Sequence, residues 1–448
     1  MIAMNNNATQ PLTASDQFDL AVIGGGPTGS TIASLVARKG YSVLVLEKDE
    51  HPRFHIGESL LPQNMRILRR LGLANRMEDI GVYKPGVDFT SQAVTEECQE
   101  ILFADALDVQ PGCEHAYQVP RSKFDKMLFD NAHADGATLI SSAKVRDVNF
   151  SESGRAVLDY DHGDIVHQVS ARFVVDASGR DALLARKFRL QHRNREHATA
   201  ALFGHFSQIP RRPESSAGNI SIYWFDQGWI WMIPLPNDLM SVGAVCNPDY
   251  LRQRGEDVEG FFYATIKRNP HAWNRLAVGR LETSITATGN YSYYSTRLDG
   301  PNWLMLGDAG MFVDPVFSSG VYFGMYSAEC GADVVLAELT CDSVAAKRAR
   351  KRMRKKVRQG VREISWFIYR FHAPAMRQMF LHPGELLQVR EAVISVLAGD
   401  VHDNLRVLWR VRLFRLLYAL VSLKLLPSAL RELRNRRQNA KGAFDGAS

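Results

Sequence analysis

Cysteine is scarce in this chain of 448 residues. The five cysteines are odd in number and widely spaced, and no two of them form a CxxC pair: Cys98, Cys113, Cys246, Cys330 and Cys341. A disulfide framework or a zinc site needs cysteines that are paired or closely spaced. The sequence therefore predicts no disulfide framework and no metal site. Reduced thiols are typical of a cytoplasmic protein, which is the location we expect.

Long apolar runs and a secretory leader are also missing. Residues 1–17 are polar and rich in asparagine, without the basic and then apolar order of a signal peptide. We expect them to form a disordered lead. No stretch reaches the roughly 18 uncharged apolar residues that a bilayer span requires. The sequence thus predicts a protein that is not integral to a membrane.

Positive charge is in excess, but the excess is local. The formal net charge is +6, and between Lys347 and Arg362 ten side chains are basic and none is acidic. The rest of the chain is therefore net negative, which argues against a nucleic-acid partner. With 46% hydrophobic and 23% charged residues, the composition is that of an ordinary globular protein.

A strand, helix, strand order follows the polar lead. Asp19–Ile23 is a short apolar run before glycines, Pro27–Arg38 has helical composition, and Ser42–Leu46 is a second apolar run. This order is the pattern of a βαβ unit. Arg172–Asp176 and Trp303–Leu306 are further candidate strands, because each is apolar and leads into a turn of small residues.

The pattern changes in the middle and again towards the end of the chain. Between residues 195 and 290 apolar and polar residues alternate, as in Asn219–Trp224 and Met240–Val245, which predicts an antiparallel sheet with one covered face. Beyond residue 327 the pattern is helical. Leu405–Arg437 interleaves arginines with leucine, valine and tryptophan, as an amphipathic helix does. Either it packs on the catalytic domain, or it contacts a membrane surface or an acidic partner.

Gly24, Gly26 and Gly29 form a GxGxxG motif after the first strand. In such a motif the glycines allow a tight turn, close approach of a pyrophosphate and close packing of helix on strand. The N-terminus of the helix attracts the phosphates. Glu47 follows the second strand, where a carboxylate accepts hydrogen bonds from ribose hydroxyls. Together these residues predict a dinucleotide-binding fold.

Two later motifs resemble those of flavoprotein hydroxylases and their relatives of the glutathione-reductase type. They are DASGR at residues 176–180 and LGDAG at residues 306–310, each after a candidate strand. The resemblance implies that the cofactor is FAD and that Asp308 contacts its ribityl chain. No second GxGxxG follows a strand. We therefore expect reduced flavin to come from a separate flavin reductase.

Three further segments resemble those of flavin-dependent halogenases. The first is the GES loop at residues 57–59, which in that family lies beside the isoalloxazine ring. The second is WxWxIP at residues 229–234, and the third is FxxPxxSxG at residues 312–320. Alternate residues of a strand face one side, so Trp229 and Trp231 would form one apolar wall. In the family this wall is thought to keep the substrate away from the flavin. Taken alone, the two tryptophans could equally belong to an ordinary core strand.

The FxxPxxSxG segment also suggests where halide binds. A turn of two serines and a glycine can direct backbone N–H groups at an anion. We expect the halide, chloride or bromide, beside the amides of Ser319 and Gly320. Arg121, in a Val-Pro-Arg sequence, resembles the arginine that lies over the cofactor in the superfamily, although a surface arginine at a helix start would look the same.

Lys84 resembles the essential lysine of the halogenases in its position, 25 residues after Ser59. A lysine ammonium can hydrogen-bond hypohalous acid and make it more electrophilic, and a deprotonated, desolvated amine can form a haloamine. The alternative is an ordinary solvated lysine, which most lysines are. The resemblance implies that reduced FAD, O2 and halide yield hypohalous acid, which reaches Lys84 and halogenates an aromatic ring.

The resemblance covers roughly residues 18–340 and implies an α/β protein. We expect an FAD-binding dinucleotide fold at 18–190 and 291–340, an antiparallel β-sheet substrate domain at 191–290 and a helical C-terminal region at 341–448. The residues that the resemblance places around FAD are Gly24, Gly26, Pro27, Gly29, Ser30, Glu47, Lys48, Arg53, Ile56, Gly57, Glu58, Ser59, Arg121, Val145, Asp176, Gly179, Asp308, Pro315, Gly320 and Val321.

The chain looks more compact than the tryptophan halogenases, and their additional catalytic glutamate has no counterpart here. This favours the branch that acts on phenols or pyrroles, either free or tethered to a carrier protein. One competing hypothesis is a flavin monooxygenase or a geranylgeranyl-reductase-like oxidoreductase that acts on a lipophilic substrate. Another is a protein that binds FAD without turnover. WxWxIP and Lys84 argue against the first, and the intact motifs argue against the second.

Overall fold

The structure is a computed structural model that describes residues 17–92, 98–150, 154–312, 315–382, 384, 386–426 and 434. The expected disordered lead therefore lies outside the described residues, except for Gln17. The strands are β1 (Gln17–Ile23), β2 (Val43–Leu46), β3 (Val82–Lys84), β4 (Gly86–Thr90), β5 (Cys98–Leu102), β6 (Ala116–Gln118), β7 (Thr138–Ile140), β8 (Ala143–Phe150), β9 (Ala156–His162), β10 (Ile165–Asp176), β11 (Gln191–Ser207), β12 (Ile220–Phe225), β13 (Gly228–Pro234), β14 (Leu239–Cys246), β15 (Arg280–Leu281), β16 (Thr286–Ser295), β17 (Asp299–Gly300), β18 (Trp303–Met305) and β19 (Met311–Phe312).

The helices begin and end in stretches where the apolar residues recur at helical spacing. They are α1 (Pro27–Ala37), α2 (Pro62–Arg70), α3 (Met77–Ile80), α4 (Arg121–Ala134), α5 (Leu183–Lys187), α6 (Pro248–Leu251), α7 (Val258–Ile266), α8 (Pro270–Leu276), α9 (Gly320–Leu339), α10 (Ser343–Ile368), α11 (Pro374–Leu381), α12 (Val389–Leu397) and α13 (Leu405–Lys424).

The first sheet is parallel at its centre, with the strand order β17-β18-β10-β1-β2-β7. β1 pairs in parallel with β10 and with β2, and β10 pairs in parallel with β18. β2 is apolar and buried at every position, as expected of a parallel strand that is covered on both faces. The expected βαβ unit and the two further strands that end at the FAD motifs are confirmed. Parallel pairing brings the carboxyl ends of β1, β2, β10 and β18 to one edge of the sheet.

α1 packs unusually close to the first strand. A methyl group on Gly29 would lie 1.9 Å from the carbonyl oxygen of Gly24, which leaves no room for any side chain. Gly24 itself has a φ of +98°, a backbone conformation that glycine adopts without strain. The beginning of α1 therefore lies against the end of β1, as the glycine pattern predicts.

The second sheet has nine strands and is largely antiparallel, with the order β19-β16-β11-β14-β13-β12-β4-β5 and β15 beside β11. β12 and β14 match the two predicted alternating segments, and β13, which lies between them, carries the WxWxIP motif. The expected single covered face is wrong here, because nearly every residue of these three strands is buried and both faces are therefore covered. β4 and β5 join this sheet although they lie in the range expected for the FAD domain. The chain thus enters the second sheet once before residue 191 and returns to it later.

The C-terminal helices pack on α9 and on the second sheet. Phe371, after α10, contacts Phe89 and Trp224 of the second sheet, with ring centroids 6.1 and 5.1 Å apart respectively. Arg415 of α13 pairs with Glu363 of α10 at 2.7 Å. α13 ends at Lys424, and the predicted extension of this helix to residue 437 falls, apart from residues 425, 426 and 434, outside the described residues. Among the described helices, none has the length and hydropathy that a membrane span requires.

The close contact at Gly29 leads to a stability prediction. Alanine is a better helix former than glycine, so Gly29→Ala should favour α1 locally, but its methyl group clashes with the Gly24 carbonyl. We expect the free energy of unfolding to fall by about 1–3 kcal/mol, as for other overpacked sites. Urea unfolding monitored by circular dichroism measures it.

Gly26→Ala is the matched control, because a methyl group there meets only the end of the Arg53 side chain, at 3.5 Å. Its loss should stay below about 1 kcal/mol, the usual range for a change at the first position of a helix. Equal losses for the two variants would mean that the close helix–strand contact does not limit stability.

Candidate functional site

The glycine loop between β1 and α1 leads into an uncapped helix start. Gly24 N–H donates to the Leu46 carbonyl at 2.8 Å, which closes the turn onto β2. α1 begins at Pro27 and has no side-chain cap. The first N–H groups of a helix have no partner within the helix, so an uncapped start leaves them for a ligand, and their dipoles favour a phosphate. This cradle fits the pyrophosphate of a dinucleotide.

Glu47 lies beside this loop, directly after β2. Its carboxylate accepts hydrogen bonds from the N–H groups of Gly25 at 2.6 Å and Asp49 at 3.0 Å. Arg53 is 3.7 Å away. Glu47 is buried, so its carboxylate is held in place by the backbone amides and the guanidinium. This position suits an acceptor for ribose hydroxyls.

A second buried carboxylate, Asp125, connects two arginines. Arg121 binds it through two hydrogen bonds of 2.7 and 3.0 Å, and Arg53 lies 3.6 Å from it. Arg121 also donates to the carbonyl of Ile56 at 2.9 Å. The start of α4 is thereby tied to the segment that leads into the GES loop. Bidentate arginine–carboxylate pairs are geometrically specific, so the guanidinium of Arg121 has a defined position.

The other two predicted FAD loops meet the glycine loop at the same sheet edge. A methyl group on Gly24 would lie 2.5 Å from the Ala177 carbonyl oxygen, and one on Gly307 would lie 2.6 Å from the Thr28 hydroxyl. Burial raises the pKa of Asp308 to about 6, against the opposing charges of Arg121 and Arg180. The structure thus brings Asp308 towards Arg121 from a segment nearly 190 residues away.

Four of the residues expected around FAD lie in turns or strands where the structure gives them contacts within the protein. The Asp176 carboxylate accepts hydrogen bonds from the N–H groups of Ser178 at 3.0 Å and Leu184 at 2.7 Å, so it shapes the turn after β10. Lys48 pairs with Asp181 at 2.6 Å on the surface. Gly179 has a φ of +64° within the same turn. Val145 lies on β8, at the antiparallel extension of the first sheet. Contact of these four residues with FAD stays a prediction.

The GES loop is held by a neighbouring strand. The N–H of Val119 donates to the Glu58 carbonyl at 2.7 Å, and the N–H of Leu60 donates to the Tyr117 carbonyl at 3.0 Å. Gly57 has a φ of +108°, which a side chain would strain. The loop is therefore rigid on the side that faces β6.

Lys84 ends β3 and points into the GES loop. Its side chain is 2% exposed, and its ammonium donates to the Ser59 hydroxyl at 2.8 Å and to the Leu60 carbonyl at 2.9 Å. The ring of Phe103 lies 5.1 Å away. Burial lowers the pKa of Lys84 to about 7. Both the ammonium and the neutral amine are therefore available near neutral pH.

His205 is a site residue that the sequence patterns did not reveal. It lies on β11 of the second sheet, and its Nε2 is 2.8 Å from the carboxylate of Glu58 in the GES loop. Burial lowers the pKa of His205, but the hydrogen bond and the charge of Glu58 outweigh burial and raise it overall. The two residues are 147 positions apart, and one histidine in an alternating strand carries no local signal. This pair joins the second sheet to the GES loop.

The two tryptophans of WxWxIP lie on one face of β13, as predicted. Both are buried, with ring centroids 5.8 Å apart, and Trp231 Nε1 donates to the Ser241 hydroxyl at 3.2 Å. Gly243 on the neighbouring strand makes room for Trp231, since a methyl group there would lie 2.2 Å from the indole. Trp231 contacts Phe203, which stacks on Phe54 of the segment before the GES loop. The wall is thus continuous with that segment.

The predicted halide loop leads into the long helix α9. The Ser319 side chain is 1% exposed, and its hydroxyl has no hydrogen-bond partner in the described structure. A methyl group on Gly320, the first residue of α9, would meet nothing within 4 Å. The side chain of Ser319, which precedes α9, does not cap the helix. The first N–H groups of α9, near Val321, therefore lack that hydrogen bond. Val313, Asp314 and the side chain of Pro315 lie outside the described residues.

A cavity of about 340 Å³ lies behind this loop, next to α2, α9 and α10. His402 stacks on Tyr326 with centroids 3.8 Å apart, and burial lowers the pKa of His402 to about 3, so its ring is neutral. Tyr322 lies three residues after Ser319, and Gln63 three residues after Leu60. Residues of the cavity wall, which the sequence patterns did not reveal, include Gln63, Arg66, Tyr322, Tyr326, Cys330 and His402.

Comparison with known proteins agrees with this geometry. The family described as FAD binding domain matches residues 17–330. A flavin-dependent halogenase of Armillaria mellea is 32% identical over 348 residues, which are 72% of this chain and 68% of the relative. A 1H-pyrrole-2-carbonyl-(peptidyl-carrier protein) chlorinase of Pseudomonas fluorescens is 29% identical over 339 residues, or 71% of this chain and 76% of the relative.

Among solved structures, a flavoprotein/dehydrogenase from Cytophaga hutchinsonii superposes with a TM-score of 0.83 at 28% identity. The match covers 91% of this chain and 100% of that one. The expected α/β class, with a helical C-terminal region, is therefore confirmed, and so is FAD as the cofactor. The Armillaria halogenase is 32% identical to this chain and is matched over 68% of its own length, so the chain belongs to the flavin-dependent halogenases.

Proposed function

We propose that this halogenase places chlorine or bromine on an electron-rich aromatic ring of the phenol or pyrrole class, with Lys84 as the residue that presents the halogen. The observation that carries the proposal is the buried ammonium of Lys84, hydrogen-bonded to Ser59 and Leu60 of the GES loop. An ordinary solvated lysine would not occupy such a position.

Bound in its reduced form, FAD supplies the electrons with which O2 and halide give hypohalous acid. The chain holds the halide with the amides at Ser319 and Gly320, where an unpartnered buried hydroxyl and the N-terminus of α9 favour an anion. Trp229 and Trp231 keep the aromatic ring away from the flavin. The ring therefore meets the freed oxidant and not the flavin itself.

Lys84 then acts on the oxidant. As an ammonium it has one N–H beyond those bonded to Ser59 and Leu60, and this N–H can donate to the oxygen of hypohalous acid. As the oxygen–halogen bond breaks, a ring carbon takes the halogen and loses a proton, and the hydroxide and that proton form water. As a neutral amine, Lys84 would instead take the halogen from hypohalous acid first: the oxygen–halogen bond breaks, the amine loses a proton, and the hydroxide and that proton leave as water. The resulting haloamine would then pass its halogen to a ring carbon and take up the proton that the ring loses. The lowered pKa of Lys84, about 7, allows either form.

The cavity beside α9 is our candidate for the site of the aromatic ring. Its wall includes Tyr322 of α9, three residues after Ser319 of the halide loop, and Gln63 of α2, four residues after Ser59 of the GES loop. The wall combines the rings of Tyr322 and Tyr326 with the amide of Gln63 and with charged groups, among them Arg66, which is bonded to Glu329. Such a wall suits a planar ring that bears a polar group. The name of the Pseudomonas relative supports a pyrrole held on a carrier protein as one such substrate. Reduced flavin would come from a separate reductase.

The expected contact with a membrane surface rests on the outward face of α13. Leu405, Trp409, Leu416 and Leu420 are 44–77% exposed on this face. Apolar residues flanked by arginines are typical of helices that lie in a membrane interface.

Cosedimentation with anionic vesicles tests this contact, and binding should fall when Leu416 and Leu420 are changed to serine. Equal binding by the double variant would mean that α13 does not insert.

Replacing Lys84 tests its role in halogenation. We expect Lys84→Met to lower the rate of product halogenation roughly 100-fold or more, the usual contribution of a proton-donating group, while flavin oxidation continues. The assay supplies FAD, a flavin reductase, NADH, O2 and bromide, and mass spectrometry follows phenol and pyrrole acceptors. Lys123→Met, at an exposed position of α4, is the control and should halogenate normally. Hydroxylated products from the wild type would instead support the monooxygenase hypothesis.

Burial of Lys84 also predicts how stability depends on pH. The folded chain loses the Lys84 proton at a pKa of about 7, whereas the unfolded chain keeps it up to the ordinary value of 10.5. Between these values the unfolded state binds more protons, so stability rises with pH, by at most about 1.4 kcal/mol per pH unit from this group.

Urea unfolding of wild type and Lys84→Met from pH 6.5 to 9.5 measures this difference. The free energy of unfolding of the wild type should rise relative to that of the variant above pH 7. Parallel pH curves would show that the folded chain keeps Lys84 protonated, and the haloamine route would then lose its support.

A further inference from the structure

Helix α10 presents most of its basic side chains to solvent. Only a narrow stripe in its first two thirds is buried against the rest of the protein: Ala346, Met353, Val357 and Gly360. Five of the exposed cations on the other side of the helix form what we call the α10 cationic face: Lys347, Arg348, Lys351, Arg352 and Lys355.

The cations that lie closest to the body of the protein are neutralised there. Arg350 pairs with Glu338 at 2.8 Å, and both Arg350 and Arg354 pair with Asp299, at 3.2 and 2.7 Å. Lys356 pairs with Asp403. In the part of the chain that the structure describes, the five residues of the cationic face form no ion pair with a carboxylate. Their charge is therefore available to a partner.

This arrangement does not favour the helix itself. Lys347, Lys351 and Lys355 follow one another at a spacing of four, and so do Arg348 and Arg352, so like charges are neighbours on the helix surface. Each such pair destabilises a helix by a few tenths of a kcal/mol. Cations in the first half of a helix also oppose its dipole. A helix that only covered α9 would gain stability from acidic residues at these positions.

The cationic face borders the cavity behind the halide loop. Ala349, Arg352 and Met353 of α10 belong to the cavity wall, and Arg352 belongs to the cationic face as well. The cavity continues inward to Tyr322, three residues from Ser319. A macromolecule bound to this face would thus stand at one side of the cavity that we assign to the aromatic ring.

We propose that the α10 cationic face is the docking surface for an acidic carrier protein, which presents the aromatic acyl group on its phosphopantetheine arm. The proposal rests on the function proposed above. Complementary charge steers and orients the carrier, and Arg352 at the cavity is placed to meet the phosphodiester of the arm. The acyl group on the arm would then enter the cavity.

The composition of the face favours an acidic protein over other polyanionic partners. A helix that inserts in a membrane interface needs an apolar side with leucine, phenylalanine or tryptophan, and the cationic face has none between its cations. A nucleic acid would need a broad positive surface, whereas the rest of this chain is net negative. A compact acidic domain needs only the one helix.

Charge reversal tests the docking surface. The variant Lys351→Glu/Lys355→Glu is compared with wild type on two forms of each acyl group, pyrrole-2-carbonyl and 4-hydroxybenzoyl. One form is loaded on an acidic phosphopantetheinylated peptidyl carrier protein, and the other is the thioester of free pantetheine. We expect kcat/KM for the carrier-bound form to fall on the order of tenfold, through KM, and to be unchanged for the pantetheine form. Added salt should weaken wild type more than the variant.

Lys39→Glu/Arg76→Glu changes the net charge equally at exposed positions away from α10, and it should halogenate both forms as wild type does. An equal effect of the α10 variant on both forms, or none on either, would overturn the docking surface. Loss of anionic-vesicle binding with normal carrier kinetics would overturn it in favour of a membrane. If wild type halogenates only the pantetheine form, docking of a carrier protein is contradicted, and the proposed halogenation of a phenol or pyrrole ring stands. If it halogenates neither form while it oxidises flavin, the proposed function fails first.

Discussion

The close contact between α1 and β1 is the constraint on which the rest of the site depends. Because Gly29 lies against the Gly24 carbonyl, the first turn of α1 stands directly at the end of the strand. The loops after β10 and β18 lie against this region, because Ala177 packs on Gly24 at the end of the strand and Gly307 packs on Thr28 in the first turn of α1. The position of the helix therefore limits where both loops can lie. Gly29, a residue without a side chain, thus fixes the relative positions of three loops that come from distant segments of the chain.

The site also depends on how the two sheets are joined. α2 and α3 separate the GES loop from β3 along the chain, and β3 leads directly into β4, the first strand that the chain contributes to the second sheet. The short link between them places Lys84 at the boundary, where its ammonium is bonded to the GES loop on one side. His205 makes the corresponding connection from the second sheet to Glu58. Movement of one sheet relative to the other would therefore disturb the GES loop from two directions.

The sequence was informative where structure is local. Short apolar runs predicted β1, β2, β10 and β18, and alternation predicted β12 and β14. Sheet membership is not local, because β4 pairs with β12 across 133 positions and nothing in either segment indicates its partner. The same reason explains why the Glu58–His205 pair and the cavity near His402 were missed. Asp176 is an intermediate case, because its motif was recognisable but the backbone amides that occupy its carboxylate were not.

The composition of the cavity wall has a consequence for the lifetime of the enzyme. Tyr322, Tyr326, His402, Cys330 and Met353 surround the space that we assign to the acceptor. Hypohalous acid readily oxidises or halogenates phenol, imidazole, thiol and thioether groups. The thiol and thioether are the groups that pass to higher oxidation states of sulfur. An acceptor in the cavity therefore also shields the wall. When the enzyme forms hypohalous acid without an acceptor bound, the oxidant would react with the wall residues. The enzyme would therefore lose activity in proportion to the number of such uncoupled turnovers.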